Sequence, residues 1–152
     1  MVYIKKASLE NIAEIIVVFK EFIEESSWDL SFDEKSSINT LFSFITSDDC
    51  EVFYSACKKG RVTGVATVVY DQDFCKERTG YLTKFYIRES GRKTKASREL
   101  IKTCVNWWEL NDCKYSYATA TASIKGQSNL FENLLSKFNF NKCGDTMVLD
   151  HG

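Results

Sequence analysis

Five basic residues are concentrated in one short segment of this chain. They are Arg88, Arg92, Lys93, Lys95 and Arg98, five cations within eleven residues. The segment follows an alternating stretch that predicts a β-strand over Gly80 to Ile87, and it precedes a periodic stretch that predicts a helix from about Ser97 to Leu110. The first N–H groups of a helix have no partner within it, and the helix dipole adds partial positive charge there. The segment is therefore a candidate phosphate site, with a solvated basic loop as the alternative.

Residues that could move a proton surround this segment in the sequence, but none is marked as the general acid or base. The candidates are Tyr86 on the same predicted strand, Tyr117 on the next predicted strand, and Glu77 in the polar connection before Gly80. Carboxylates and tyrosines serve as general acids and bases when their pKa suits the reaction. Each candidate has an alternative interpretation, as a solvated carboxylate or a half-buried strand tyrosine. Asp71, Asp73, Tyr81 and Tyr115 are further open candidates, and Ser123 and Ser128 could replace a missing acid.

The predicted elements follow the order β-α-α-β-β-β-α-β-α-β. The strands are predicted at Val2 to Lys6, Glu51 to Cys57, Val62 to Tyr70, Gly80 to Ile87, Tyr115 to Thr121 and Thr146 to Leu149. The helices are predicted after Ser8, after a capping box at Ser31 to Glu34, from Ser97 to Leu110, and from Asn129 to Phe138. Helices on either side of a central meander predict an α/β fold, a mixed α+β sheet with both faces covered. We expect a single domain over residues 1–152.

Apolar spacing predicts which residues of the second helix are buried. Ile38, Leu41, Phe42 and Ile45 form the predicted core stripe. Phe44 lies off that stripe, and we expect it to be core or to line a groove for a substrate or partner.

Composition excludes several classes of protein. The net charge of −1 gives no case for a nucleic acid partner or a membrane surface. The apolar runs are too short to span a membrane, and the N-terminus has no signal-peptide pattern. Six cysteines without a Cys-x-x-Cys pair and a single histidine, His151, predict no metal site. We expect reduced thiols and a cytoplasmic protein.

Two stretches of the chain, together with the order of elements, resemble the GCN5-related N-acetyltransferase (GNAT) superfamily. Leu82 to Leu100 is similar to the strand, phosphate loop and helix of that family, whose loop pattern is Arg/Gln-x-x-Gly-x-Gly/Ala. Leu134 to Phe140 is similar to the family's late helix, which usually ends in Gly-Phe. The pattern most resembles acetyltransferase-like proteins of phage genomes. Such a protein would work in the host cytoplasm or in the virion.

The resemblance implies acetyl-coenzyme A (acetyl-CoA) as cosubstrate, no metal, and direct attack of a primary amine on the thioester. The amine would belong to a small molecule or a protein. The implied cofactor-binding residues are Phe85, Tyr86 and Ile87, whose backbone would pair with the pantetheine arm, and Arg92, Lys93, Thr94, Lys95, Ala96, Ser97 and Arg98 around the phosphates. A homodimer is left open.

The chain departs from the family pattern at three positions. The first glycine of the loop pattern falls on Lys95, which either turns outward and offers its ammonium group to a phosphate or obstructs the loop. Leu135 stands where many members have a proton-donating tyrosine, and Asn139 replaces the glycine before Phe140. The missing glycines at Lys95 and Lys93, where relatives often have another, together with Leu135, motivate an alternative, a GNAT-fold binding or structural protein without turnover. Transfer of another acyl group is the third interpretation.

Overall fold

A five-stranded mixed sheet forms the centre of the computed structural model, which describes residues 1–26, 28–119 and 128–152. Its strands are β1 (Val2–Lys6), β2 (Cys50–Cys57), β3 (Val62–Asp71), β4 (Arg78–Ile87) and β5 (Cys113–Ala118), and they lie in that order across the sheet. Neighbouring strands are antiparallel except β4 and β5, which are parallel. The mixed sheet predicted from the sequence is confirmed.

Two pairs of helices cover the two faces of the sheet. The helices are α1 (Ile12–Glu25), α2 (Glu34–Thr46), α3 (Ala96–Leu110) and α4 (Ser128–Ser136). On the α1/α2 face, Ile15, Val18 and Leu41 pack with strand residues such as Val65. The α3/α4 face has its own core, which includes Phe85, Leu100, Ile101, Trp108 and Phe131. Each helix therefore buries one apolar stripe against the sheet.

Strand β4 changes its neighbours half-way along its length. It pairs with β5 only from Arg78 to Leu82, whereas its pairing with β3 continues to Ile87. Thr83 has no counterpart in the β3 ladder, because Leu82 pairs with Val68 and Lys84 pairs with Thr67. Such a bulge bends a strand and increases its twist. Among the described residues, the second half of β4 therefore has no strand beside it on the β5 side.

Two helix starts differ from the sequence prediction. Helix α2 begins at Glu34, and its N-cap is Asp33, whose carboxylate accepts the N–H of Ser36 at 2.7 Å. The predicted capping box beginning at Ser31 was therefore wrong, because an aspartate closer to the helix satisfies the free N–H. The first helix is preceded by a 3₁₀ turn at Leu9–Asn11, which follows Ser8.

The predicted core stripe of α2 is rotated in the structure. Leu41 is buried, but Ile38 is 40% exposed and Phe42 is 51% exposed. The inward residues are Leu41, Phe44 and Ile45, which pack with the α1/α2 core. They too have helical spacing, so periodicity alone did not distinguish the two stripes.

The predicted C-terminal strand is absent. Thr146 to Leu149 form no strand, and Met147, Val148 and Leu149 are 92%, 73% and 75% exposed. Residues with a strand-like pattern need a neighbouring strand for their backbone hydrogen bonds, and this segment has none in the described structure. The end predicted for β5, at Thr121, lies outside the described residues.

Candidate active site

The first half of the β4–α3 loop is attached to helix α1. The Arg88 guanidinium donates from Nε to Glu21 Oε2 at 2.8 Å and from Nη1 to the carbonyl oxygen of Val62 at 3.1 Å, and it also donates to Glu21 Oε1. Arg92 donates from Nε to the carbonyl oxygen of Ile87 at 3.0 Å and from Nη2 to Glu25 Oε1. Both arginines, expected among the phosphate-binding cations, thus have their charges paired with α1 carboxylates.

The remaining cations of the loop face solvent. Lys93, Lys95 and Arg98 are exposed, and none of them forms an ion pair with a described residue. Beside them, the backbone N–H groups of Lys93, Lys95, Ser97 and Arg98 donate to no described acceptor. Unpaired N–H groups at the start of a 15-residue helix, together with three cations, form a site suited to an anion.

The backbone at Lys95 does not require glycine. Lys95 is the N-cap of α3 with φ −79° and ψ 5°, a bridge-region conformation with negative φ that a residue other than glycine can adopt. Its side chain lies on the surface, where it lines a groove with Glu99 and Lys102 of α3. Of the two alternatives for Lys95, the structure therefore favours the outward orientation over obstruction of the loop.

Thr94 and Gly91 determine the shape of the loop. The Thr94 hydroxyl donates to the carbonyl oxygen of Gly91 at 2.6 Å and accepts the N–H of Ala96 at 3.1 Å. Gly91 is buried against β3, where a Cβ atom would lie 2.9 Å from the carbonyl oxygen of Thr63. The loop is therefore held close to the sheet at one end and closed onto α3 at the other. Sequence reasoning did not identify Gly91, although a glycine inside a basic loop is a signal for close backbone approach.

The second half of β4 leads directly into this loop. Phe85, Tyr86 and Ile87 pair with β3 through Ala66, Val65 and Gly64, and β5 does not reach them. Phe85 is buried on the α3/α4 face, with its ring 5.2 Å from that of Phe131. The edge of this half of β4 that faces away from β3 therefore lies next to the start of α3.

Tyr86, a candidate acid, is a buried residue whose hydroxyl is already engaged. It is 3% exposed on the α1/α2 face, and its hydroxyl donates to Glu25 Oε2 at 2.6 Å. Burial first, and then the hydrogen bond to Glu25, raise the pKa of Tyr86 well above its usual value. A tyrosine in these surroundings keeps its proton at neutral pH. Tyr86 therefore links β4 to α1.

The other candidates lie apart from the loop. The Tyr117 ring stacks on that of Tyr81 with centroids 5.8 Å apart, at the part of β4 that pairs with β5. Glu77 is exposed immediately before β4. Since β4 has ten residues, Glu77 is roughly 30 Å from the loop at about 3.3 Å per residue. Ser123 and the side chain of Ser128 lie outside the described residues.

The two late departures from the family pattern have clear structural roles. Leu135 is 7% exposed and belongs to the α3/α4 core, so it packs and has no proton to give. Asn139 has φ 65°, the left-handed conformation expected for a residue in place of glycine after α4. The substitution by Asn is therefore accommodated by the backbone.

An apolar pocket of about 260 Å³ lies on the other side of β4, between α1, α2 and the sheet. Its lining includes six apolar side chains, those of Phe19, Phe22, Ile23, Phe32, Leu41 and Phe44. Thr83 and Lys84, at the bulge of β4, also line it. From the sequence, only Phe44 is predicted to line a groove, because the other aromatic residues have ordinary core spacing. The pocket depends on how α1 and α2 pack on the sheet.

The described residues contain no group of three or more His, Cys, Asp or Glu side chains that could hold a metal ion. All six cysteines are free thiols. No helix within the described ranges is long and apolar enough to cross a membrane.

Solved structures share this fold over nearly the whole chain. The aminoglycoside N-acetyltransferase AAC(6')-Iy, in complex with CoA, has a TM-score of 0.79 at 10% identity, covering 99% of this chain and 94% of that one. A predicted acetyltransferase from Clostridium acetobutylicum, with acetyl-CoA, has a TM-score of 0.76 at 16% identity, covering 99% and 96%. Glucosamine-6-phosphate N-acetyltransferase from Arabidopsis thaliana has a TM-score of 0.76 at 10% identity, covering 100% and 99%. At these identities the likeness shows the fold alone.

Sequence comparison gives the family. No curated protein sequence matches this chain. The model of the acetyltransferase (GNAT) family matches residues 13–134, which include the whole of β4, the loop and α3. The match covers most of the chain and includes the loop stretch that resembles the family. The chain therefore belongs to the acetyltransferase (GNAT) family.

Proposed function

We propose that this protein transfers an acetyl group from acetyl-CoA to a primary amine by direct attack of the amine on the thioester. One observation carries the proposal: the N–H groups of Lys93, Lys95, Ser97 and Arg98, which donate to no described acceptor, lie next to the edge of β4 that no described strand covers. The first feature suits a pyrophosphate and the second suits an amide-containing arm. The neighbours solved with CoA or acetyl-CoA support the same ligand.

The cofactor-binding residues fall into two groups according to their position. The backbone of Phe85, Tyr86 and Ile87 would hold the pantetheine arm along β4, where the Ile87 carbonyl oxygen also accepts from Arg92 Nε at 3.0 Å. The loop from Arg92 to Arg98 would hold the phosphates, with Lys93, Lys95 and Arg98 as the cations that have no described ion-pair partner. Arg92 and Ala96 act within the loop, since Arg92 is bound to Glu25 and the Ala96 N–H is bound to Thr94. Bringing amine and thioester together accounts for much of the rate in such a reaction.

Calorimetry with acetyl-CoA tests the site directly. We expect the double variant Lys93→Glu with Lys95→Glu to weaken binding more than tenfold, because two attractive charges become repulsive. The matched control is Lys76→Glu with Lys114→Glu, which reverses two exposed charges near the starts of β4 and β5, at the opposite end of the sheet. Dephospho-CoA, run in parallel, separates contacts to the 3′-phosphate from contacts to the pyrophosphate. Equal losses in the two double variants would contradict the loop assignment.

Turnover is then measured as release of the CoA thiol in the presence of primary amines. Binding followed by thiol release that depends on the amine supports the acetyltransferase. Tight binding without turnover on any amine would favour the alternative of a GNAT-fold binding protein. No binding at millimolar acetyl-CoA would contradict the proposal.

The source, the location and the assembly of the protein are proposals as well. Six free thiols support a reducing compartment such as the cytoplasm, or the host cytoplasm or virion for a phage protein. Exposed Met147, Val148 and Leu149 support a homodimer, because exposed apolar residues close together often mark an interface. The resemblance of the overall pattern to phage acetyltransferase-like proteins supports a phage origin.

A further inference from the structure

We infer that the acceptor is a compact hydrophobic primary amine, and that its apolar group binds in the pocket between α1, α2 and β4. This inference rests on the proposed acetyl transfer and specifies the substrate class. The pocket was not part of the loop site described from the sequence.

The position of the pocket relative to β4 is the first reason. Thr83 and Lys84 line it, and they stand immediately before Phe85, where the free edge of β4 continues toward the loop. The Thr83 hydroxyl is itself held in place by Thr67 Oγ1 at 2.6 Å and by the Thr67 carbonyl oxygen at 3.1 Å. A group bound in the pocket would therefore lie next to the part of β4 that is proposed to hold the pantetheine arm.

The chemistry of the lining is the second reason. The six apolar side chains are accompanied by the polar residues Ser36, Ser37, Thr40, Thr67 and Thr83, and Lys84 is the one charged residue among the described lining. A polyamine or an aminoglycoside carries several positive charges and would need carboxylates, none of which is found in that lining. The pocket matches a neutral apolar group instead.

The volume of the pocket limits the size of the acceptor's apolar group. Its volume of about 260 Å³ lies just below the range of roughly 300–1,000 Å³ that holds drug-sized ligands. One aromatic ring or one branched alkyl group is of the right size. Apolar surroundings and the neighbouring Lys84 also favour the neutral amine over the ammonium form. The neutral amine is the form that attacks a thioester, so the pocket would reduce the need for a dedicated base.

The test compares four amines on the wild-type protein with acetyl-CoA. We expect kcat/KM for 2-phenylethylamine and isoamylamine to exceed that for ethanolamine and spermidine at least tenfold. Phe44→Ser should raise KM for 2-phenylethylamine at least tenfold and leave the Kd for acetyl-CoA within twofold. The matched control is Phe42→Ser, the same change on the same helix at a residue that is 51% exposed and does not line the pocket. It should change neither quantity.

A second pair of variants keeps the test valid if Phe44→Ser is unstable. Thr40→Trp fills the pocket from an exposed lining position, and Asn39→Trp places the same side chain on the neighbouring residue outside the lining. Only the first should impair use of 2-phenylethylamine. Equal effects of the two, or a preference for spermidine, would overturn the inference. The inference would also be overturned if the pocket held the acyl chain instead of the amine. In that case the pocket variants would weaken hexanoyl-CoA binding and leave the KM for the amine unchanged.

Ligand-observed NMR with 2-phenylethylamine alone separates this inference from the proposed function. Binding that is lost in Thr40→Trp and kept in Asn39→Trp supports the pocket even if acetyl-CoA does not bind. Absence of binding at millimolar amine, in a protein that binds acetyl-CoA and acetylates other amines, overturns the inference and leaves the proposed function standing.

Discussion

At the scale of residues, the cations of the β4–α3 loop differ in burial and in pairing. Arg88 and Arg92 are partly buried and paired with Glu21 and Glu25, whereas Lys93 and Lys95 are exposed. Arginine suits the first role because its planar guanidinium can bind a carboxylate and a backbone carbonyl at once. The paired arginines therefore position the loop, and the lysines supply its unpaired charge.

Tyr86 gives the residue-scale prediction, a change in how stability depends on pH. Its pKa is raised in the folded protein, so its contribution to stability is complete below about pH 10 and is lost as the pH rises above that value. Above pH 10, Tyr86 should reduce the free energy of unfolding by up to about 1.4 kcal/mol per pH unit, and Tyr86→Phe should remove that part of the slope. Urea unfolding at pH 7, 9, 10.5 and 11.5 measures it.

Two controls accompany this prediction. At pH 7, Tyr86→Phe should cost about 1–2 kcal/mol, because the hydrogen bond to Glu25 is lost. Tyr115→Phe makes the same chemical change at a residue that is 59% exposed. Identical slopes for wild type and Tyr86→Phe above pH 10 would show that the tyrosine is not held as described.

At the scale of elements, the proposed function depends on the junction between β4 and α3. Because the β5 ladder ends at Leu82, no described strand covers one edge of the second half of β4, and the bulge at Thr83 bends the strand at that point. Gly91 brings the loop close to β3, and Thr94 closes it onto the helix. The strand edge and the helix start form one site only because the connection between them is short and held at both ends.

Thr94→Val tests this junction. The variant keeps the shape of the side chain and removes the hydroxyl that joins Gly91 to the Ala96 N–H. We expect a loss of about 1 kcal/mol in the free energy of unfolding, as for loss of a helix cap. We also expect a several-fold weaker affinity for acetyl-CoA, because the N–H groups at the start of α3 become less well positioned. Thr94→Ser restores the hydroxyl and should restore both quantities. A stable Thr94→Val protein with wild-type affinity would contradict the assigned role.

At the scale of the whole molecule, the two faces of the sheet have different roles. The α3/α4 face is a closed core around Leu100, Trp108 and Phe131. The α1/α2 face contains a core that leaves a pocket beside the bulge of β4. The loop connects with both, through α3 on one side and through the α1 carboxylates on the other.

The exposed C-terminal segment gives the prediction for the assembled protein. Light scattering should give twice the chain mass of 17.5 kDa, if Met147, Val148 and Leu149 are covered by a second copy. Val148→Asp with Leu149→Asp should shift the mass to that of a monomer. Asn141→Asp with Lys142→Asp, exposed in the same segment, should leave it unchanged. A wild-type monomer at micromolar concentration would contradict the homodimer.

The boundaries of the elements show where sequence reasoning was sufficient. β1 was predicted with its exact limits, and β2, β3 and β4 were predicted to within two residues, because each combines a period of two with a clear turn on either side. The prediction of a C-terminal strand was wrong, because a strand needs a neighbouring strand, and the sequence pattern does not show whether one is present. The inward face of α2 was predicted only in part: Leu41 and Ile45 face the core as predicted, whereas Ile38 and Phe42 are exposed and Phe44 packs inward instead.

The sequence by itself determined the order of the elements through β5 and α4, the family, and the position of the basic segment before α3. These properties depend on local periodicity and on residues adjacent in the chain. Only the tertiary structure decided that Glu21 and Glu25, more than 60 residues away, neutralise Arg88 and Arg92. It also decided that Lys95 turns outward and that a pocket opens beside Thr83. Those features depend on distances between elements that are remote in sequence, and a one-dimensional pattern does not contain such distances.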